Sequence, residues 1–255
     1  MGTDAPSTDS TATLAREWLR ATQEAVCDSI EPWEHGTVLR AARYPTYYNF
    51  NLVRVEGHAD IDAQGLIAFT DRALTGLDHR RIDIETIELA DELRPELLAA
   101  GWRTTRLLWM RHEVPAAIES SVEVHEVPYE AVAELRTRWH DEDFPEAESV
   151  EFEVAAREVA MTRDVRVLAA TEDGRPIGFA QLESAGSGAE VSQVYVHPDY
   201  RGQGRGTAIT RAAIKSSGEV EDLWIAADDE DRPKELYGRL GFRPSWTMME
   251  FLLLP

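Results

Sequence analysis

One stretch, VSQVYVHPDYRGQGRGTAITR (residues 191–211), constrains the fold more than any other: an apolar strand runs into a loop with three glycines in five positions, and that loop opens a helix. Gly202, Gly204 and Gly206 carry no Cβ, so the backbone can turn tightly and bring its N–H groups onto an anion. Ala208, Ile209, Ala212, Ala213 and Ile214 recur at helical spacing, which aims the unpaired N–H groups of the first turn back at the loop. Arg201 and Arg205 add mobile positive charge. Taken without context, the same composition also suits a flexible surface turn, so the neighbouring segments have to decide.

Two familiar phosphate loops do not fit. A P-loop needs Gly-Lys followed by Ser or Thr, and no lysine occurs here before Lys215. A dinucleotide fingerprint needs G-x-G-x-x-G, whereas RGQGRG supplies G-x-G-x-G, and no acidic residue ends a second strand in a short βαβ unit. What fits is R/Q-x-x-G-x-G/A, read as Arg201, Gly202, Gln203, Gly204, Arg205 and Gly206 after the strand VYVHPDY.

This pattern resembles the acetyl-CoA motif of the GCN5-related N-acetyltransferases, the GNAT superfamily. The flanking segments follow the same order: the hairpin VRVLAATEDGRPIGFAQLES (165–184) with its Asp-Gly turn, the strand LWIAADDE (223–230), the helix PKELYGRLGF (233–242) and a last strand SWTMMEFLL (245–253). The resemblance covers residues 119–255 and implies an α/β (α+β) fold with a mixed, mostly antiparallel sheet flanked by helices.

The first half reads as a worn copy of the second. LVRVEGHADIDAQGLIAFT (52–70) lies over QVYVHPDYRGQGRGTAIT (193–210), RIDIE (81–85) over DLWIA (222–226), and ELLAAGW (96–102) over LYGRLGF (236–242), at an almost constant offset. Two tandem GNAT-like domains are therefore expected, a degenerate one over 14–118 and an acetyl-CoA-binding one over 119–255. In the copy the glycine loop is replaced by Asp60, Ile61, Asp62, Ala63, Gln64 and Gly65, and Leu97 stands in the place of Tyr237. Carboxylates where a pyrophosphate would lie oppose anion binding, so this half is expected to be structural or to shape the substrate site.

The resemblance implies roles in the second half. The backbone of Val194, Tyr195 and Val196 pairs with the pantetheine amides of acetyl-CoA, the only cofactor implied, which enters as co-substrate. The N–H groups of Arg201, Gly202, Gln203, Gly204, Arg205 and Gly206, with Thr207, take the pyrophosphate. The side chains of Val194 and Val196 are expected in the core. Tyr237 stands where relatives place the tyrosine that protonates the departing sulfur, and the N–H of Val196 is the candidate oxyanion donor. For the base that deprotonates the amine, Glu190 lies eleven residues before Arg201, the separation found in the histone-acetylating branch, with Glu183 in reserve and bound water as the alternative. Glu230 and Pro233 depart from the usual N-x-x-A-x-x-L-Y, leaving the adenosine contacts open; Arg232 and Lys234 reach either CoA phosphates or solvent.

Composition narrows the partners. The 255 residues carry a formal charge of -21, which repels nucleic acid and favours a cationic small molecule. Two thirds of the acidic excess falls after residue 118, and WHDEDFPEAESVEFE (139–153) holds seven carboxylates with no Lys or Arg. That stretch is either a solvated loop or a cation-attracting mouth for the acceptor amine; His140 within it is a possible proton carrier or simply structural. The lone Cys27 forms no internal disulfide, MGTDAPSTDSTAT reads as a disordered tail over 1–13 rather than a signal peptide, and no apolar run reaches membrane-spanning length. A cytoplasmic enzyme without a membrane partner is expected. The seven histidines are dispersed, so no metal is implied, and no G-x-S-x-G elbow occurs. The reading is an N-acetyltransferase acting on a primary amine. Its alternatives are a CoA-sensing scaffold and, among enzymes, a mycothiol-synthase-like acetyltransferase.

Overall fold

The computed structural model describes residues 8–114, 121–145, 147 and 149–255. The chain divides into two compact units: the first takes residues 1–109, 228–230 and 245–255, the second 110–227 and 231–244.

In the first unit α1 (Thr8–Glu24) leads into β1 (Ser29–Trp33), β2 (Gly36–Arg40), β3 (Leu52–Val55), α2 (Ala63–Ala73), β4 (Arg80–Ile84), α3 (Ile87–Ala99) and β5 (Arg103–His112), whose last residues pass into the second unit. Strands β1, β2 and β3 pair antiparallel, and β3 pairs parallel with β4 across the helical crossover α2. Residues 8–13, expected in a disordered tail, are instead the first turns of α1. Thr, Asp, Ser and Ala suit a helix start, and Leu14, Ala15 and Trp18 supply apolar spacing behind it. Residues 1–7 of that stretch lie outside the described residues.

The second unit runs through β6 (Val124–Val127), α4 (Ala133–Asp143), α5 (Ser149–Met161), β7 (Asp164–Glu172), β8 (Arg175–Ala185), β9 (Gly188–Val196), α6 (Arg205–Ser216), β10 (Asp222–Asp228) and α7 (Pro233–Arg239) to β11 (Phe242–Leu253). Strands β6 to β9 form an antiparallel meander, and β9 pairs parallel with β10 across α6. The Asp173-Gly174 turn joins β7 to β8 with both residues at positive φ, 49° and 77°, as a two-residue hairpin requires. Each unit thus repeats one device, antiparallel strands followed by a helical return to a parallel neighbour, which is what the offset in the sequence describes.

Each unit has its own core. Val53, Val55, Leu66, Ile82, Ile84, Leu93, Leu97 and Trp102 pack together in the first unit, joined by Met249 and Phe251. The last two come from β11. The strand 245–253, expected to close the second half, pairs antiparallel with β4, Met249 opposite Ile84 and Phe251 opposite Ile82. Period-2 patterning fixes which face of a strand is buried but not which neighbour it joins. In the second unit Tyr129, Val132, Leu135, Val167, Ala169, Phe179 and Tyr195 form a core between β7, β8, β9 and the helices on one face. A fully buried side chain of this kind contributes ~1.5–3 kcal/mol by area removed from water.

Candidate functional site

The glycine loop sits between β9 and α6. A short turn, Pro198–Tyr200, follows β9, and α6 starts at Arg205 with Gly204 as N-cap. Gly202 and Gly204 have φ of 76° and 77°, and a Cβ built on either would meet nothing within 4 Å. Glycine is therefore needed for backbone hand, not for space. Gly204 offers no side-chain cap; its carbonyl accepts from Ala208 N at 3.0 Å as the first helical bond. The N–H groups of Arg205, Gly206 and Thr207 have no acceptor within the helix, and the helix dipole reinforces them. Gly206 differs: a Cβ there would lie 3.7 Å from Leu236 Cδ1 and 3.8 Å from Val196 Cγ2, ordinary contact distances.

The loop's own bonds limit which groups are free. The amide of Arg201 donates to Pro198 O at 3.2 Å, so of the six N–H groups expected on a pyrophosphate this one is engaged by the turn. The Arg201 side chain folds back, Nε donating to Val196 O at 2.9 Å and Nη2 to Glu142 Oε2 at 2.7 Å. Arg205 reaches Gln203 and, at 3.2 Å, Glu172, while Gln203 Nε2 donates to Asp199 O at 3.4 Å.

Beside the loop two strands part. The parallel register runs from Asp222 opposite Gly188 to Ile225 opposite Val191, yet β9 continues to Val196 and β10 to Asp228. The parting coincides with a bulge: between Phe179 opposite Tyr195 and Gln181 opposite Ser192, β9 holds one residue more than β8. Gln193 is in that bulge, with φ of 49°. The N–H of His197 donates to Ile177 O on the β8 side at 2.9 Å, so strand alternation turns the N–H groups of Val194 and Val196 to the opposite edge. This edge can receive an extended amide chain. The bulge also resets which side chains are buried. Tyr195 is 5% exposed, whereas Val194 and Val196, expected in the core, are only partly buried.

The candidate proton carriers lie on α7 and β9. Tyr237 on α7 is 6% exposed with its ring edge-on to Phe242 at 6.2 Å. Burial, with the Asp231 carboxylate adding to it, raises the phenol above its ordinary range and keeps it protonated. Glu190 on β9 lies in register between Glu183 of β8 and Trp224 of β10, so the two glutamates share a sheet face. Glu183 is held by Arg163 at 2.6 Å and by Ser192 Oγ at 2.7 Å. Pro233 occupies the first turn of α7, and Glu230 accepts from Arg94 at 3.1 Å.

Two residues were not singled out by sequence. Glu142, near the end of α4, accepts from Tyr195 Oη and Arg201 Nη2, both at 2.7 Å. Burial and the Glu142 carboxylate together push the Tyr195 phenol up to about 12. The acidic stretch marked this region, but nothing distinguishes one of its seven carboxylates before folding. Gln193 carries no sequence signal, because a bulge without glycine leaves none. His140, by contrast, is buried and stacked on Phe152 at 4.3 Å; burial lowers its pKa, so it stays neutral as a packing group. Glu146 and Glu148 lie outside the described residues. Among the described residues no three His, Cys, Asp or Glu side chains are grouped to hold a metal, and no helix is long and apolar enough to cross a membrane.

The corresponding helix start in the first unit is built differently. Asp62 is the N-cap of α2, and its Oδ1 accepts from Gly65 N at 2.7 Å. The carboxylate occupies the place at which an anion would meet the second unit's helix.

Residues 163–244 match the family model described as an acetyltransferase (GNAT) domain. Mycothiol acetyltransferase of Streptomyces coelicolor is 31% identical over 111 residues, 43% of this chain and 36% of that protein. The chain spans about a third or less of the length of the curated relatives it matches. Among solved structures, a functionally unknown conserved protein from Staphylococcus epidermidis has a TM-score of 0.69 at 16% identity, covering 89% of this chain and 93% of its own. A GCN5-related N-acetyltransferase from Kribbella flavida has a TM-score of 0.53 at 18% identity, with 94% of each chain covered. At such identities these two establish the fold alone. Residues 163–244, the stretch that holds the glycine loop, the parting strands and Tyr237, are thus the part of the chain that is similar to the GNAT acetyltransferase domain.

Proposed function

We propose that the chain moves an acetyl group from acetyl-CoA to the primary amine of a small, cationic molecule. The observation that carries this reading is the pairing of an uncapped helix start at Gly204 with an unpaired strand edge at Val194–Val196. A diphosphate and a chain of amides need those two surfaces side by side. The residues present fit such a co-substrate: left-handed Gly202 and Gly204, free N–H groups on Arg205 to Thr207, and an edge whose N–H groups face away from β8. When bound, acetyl-CoA supplies the activated acyl group as a thioester.

The chain's own groups then divide the work. The N–H groups of Gly202 to Thr207 bind the diphosphate, and the Val194–Val196 edge holds the pantetheine arm extended. The Val196 N–H donates to the carbonyl oxygen, where negative charge develops. Glu190 accepts a proton from the incoming ammonium, directly or through water, so that nitrogen presents a lone pair. Tyr237, held protonated by burial, donates its Oη proton to the departing sulfur. The net negative charge of the acidic stretch attracts a cationic acceptor.

The similarity to mycothiol acetyltransferases favours an amine carried on a small thiol precursor as one acceptor. The test is a screen of amines, polyamines, amino sugars and cysteinyl amines with acetyl-CoA, reading release of free CoA. Turnover on any of these supports the reading. CoA binding by calorimetry without turnover on any acceptor favours a CoA-sensing scaffold, and no CoA binding overturns both.

A further inference from the structure

A cluster of polar side chains meets at the β9 bulge. Arg136 on α4 is 0% exposed. Its guanidinium lies 3.9 Å from the Tyr129 ring centroid and 5.4 Å from that of Phe179, and Nη1 donates to Glu153 Oε1 at 2.8 Å. The remaining donor in use, Nε, reaches Gln193 Oε1 at 3.3 Å, and Gln181 Nε2 donates to the same oxygen. Two side chains from different elements therefore converge on the amide of one residue, and that residue holds the positive φ. A long side chain in this conformation carries strain and persists only where its surroundings over-determine it.

Placement gives the clamp its meaning. The last register pair of β9 with β10 is Val191 with Ile225, and Gln193 follows two residues later. The residue after it is Val194, where the unpaired edge begins. An interior arginine paired to a glutamate is no efficient source of stability, since apolar side chains of similar volume often serve as well or better. Fixing one backbone geometry among several is the better-attested use of such a pair.

We propose that Arg136 is a positioning residue: through Gln193 it locks the β9 bulge, and so aims the Val194 and Val196 N–H groups at the pantetheine arm and the reacting carbonyl. The inference rests on the acetyl-CoA reading for its functional consequence, but the clamp itself is testable without it. Two full-length variants separate the possibilities. Arg136→Lys keeps a positive charge beside Glu153 and removes the Nε donor; Gln193→Ala removes the acceptor while leaving the Arg136–Glu153 pair intact.

Amide hydrogen exchange is followed residue by residue, together with CoA binding by calorimetry, on variants whose circular dichroism shows a native fold. The Tyr195 and His197 amides should exchange at least about tenfold faster in both variants, while the β7–β8 hairpin is unchanged. CoA affinity should fall by about tenfold in both. A merely structural arginine would lower the unfolding temperature without this local pattern. If Gln193→Ala is folded and neither readout moves more than about twofold, the clamp is refuted. If the unmodified protein binds no CoA, the acetyl-CoA reading fails by itself, and the exchange pattern still decides whether Arg136 fixes the bulge.

Discussion

The start of α2 and the start of α6 are the same structural joint with opposite chemistry. Both follow a strand, both open the helix that returns to a parallel neighbour, and both leave first-turn N–H groups to be satisfied. At α2 the chain satisfies one of them itself, through the Asp62 carboxylate on Gly65 N. At α6 the N-cap is a left-handed glycine with nothing to donate or accept from a side chain. A self-satisfied helix start gains stability and loses the ability to bind an anion; an unsatisfied one does the reverse. The difference between these two helix starts is thus a choice of what fills one small electropositive place.

The strongest way to break the comparison is to make the second joint like the first. Gly204→Asp should weaken CoA binding by about 100-fold or more, measured by calorimetry, because a carboxylate is set among the N–H groups that would hold a diphosphate. Gly206→Ala is the control: its methyl has room, so CoA affinity should change by less than about threefold and the helix should gain slightly. If Gly204→Asp binds CoA as the unmodified protein does, the loop is not the diphosphate site.

Next in size is Tyr237→Phe, whose counterpart in the first half is Leu97. Turnover should fall by roughly 10- to 100-fold with CoA affinity unchanged, since only the donated proton is lost. Equal turnover would leave Tyr237 as a packed ring. The reverse exchange, Asp62→Ala, should cost about 1 kcal/mol in thermal or denaturant unfolding through loss of the cap. It should create no second CoA site, because one freed N–H does not rebuild a loop that lacks Gly202 and Gly204.

The smallest effect concerns pH. In the first unit Arg81 joins Asp83 at 2.8 Å and also Glu250 of β11. Burial, helped by Asp83 and opposed by Arg81, raises Glu250 above the ordinary glutamate range. The folded chain therefore keeps that proton at pH values where the unfolded chain has lost it. Stability should decline as pH climbs from the ordinary glutamate pKa through the raised one, and Glu250→Gln should flatten this part of the profile.

Much of this was legible in the sequence because the relevant signals are local. Glycines at Gly202 and Gly204 announce a backbone hand, the Asp173-Gly174 pair announces a hairpin, and Pro233 announces a helix start. The repeat was readable for the same reason, since strand, loop and helix rhythms survive the loss of chemistry. What escaped notice depends on distant partners. Gln193 is unremarkable until Arg136 and Gln181 reach it, and Glu142 is one acid among many until Tyr195 and Arg201 choose it. The Arg201 amide was expected to be free, but a turn bond to Pro198 takes it, a detail set by the short helical turn rather than by any motif. The destination of 245–253 could not be read at all, because alternation says that a strand is half buried without naming its neighbour.

That destination has a consequence for how the chain is made. The Trp246 indole donates to Glu85 O at 3.0 Å, a bond between residues 161 positions apart, and β11 pairs with β4, a strand that emerges from the ribosome long before it. The β4 edge that β11 covers stays open while the intervening polypeptide is translated. Such a delay lengthens the exposure of that edge to aggregation.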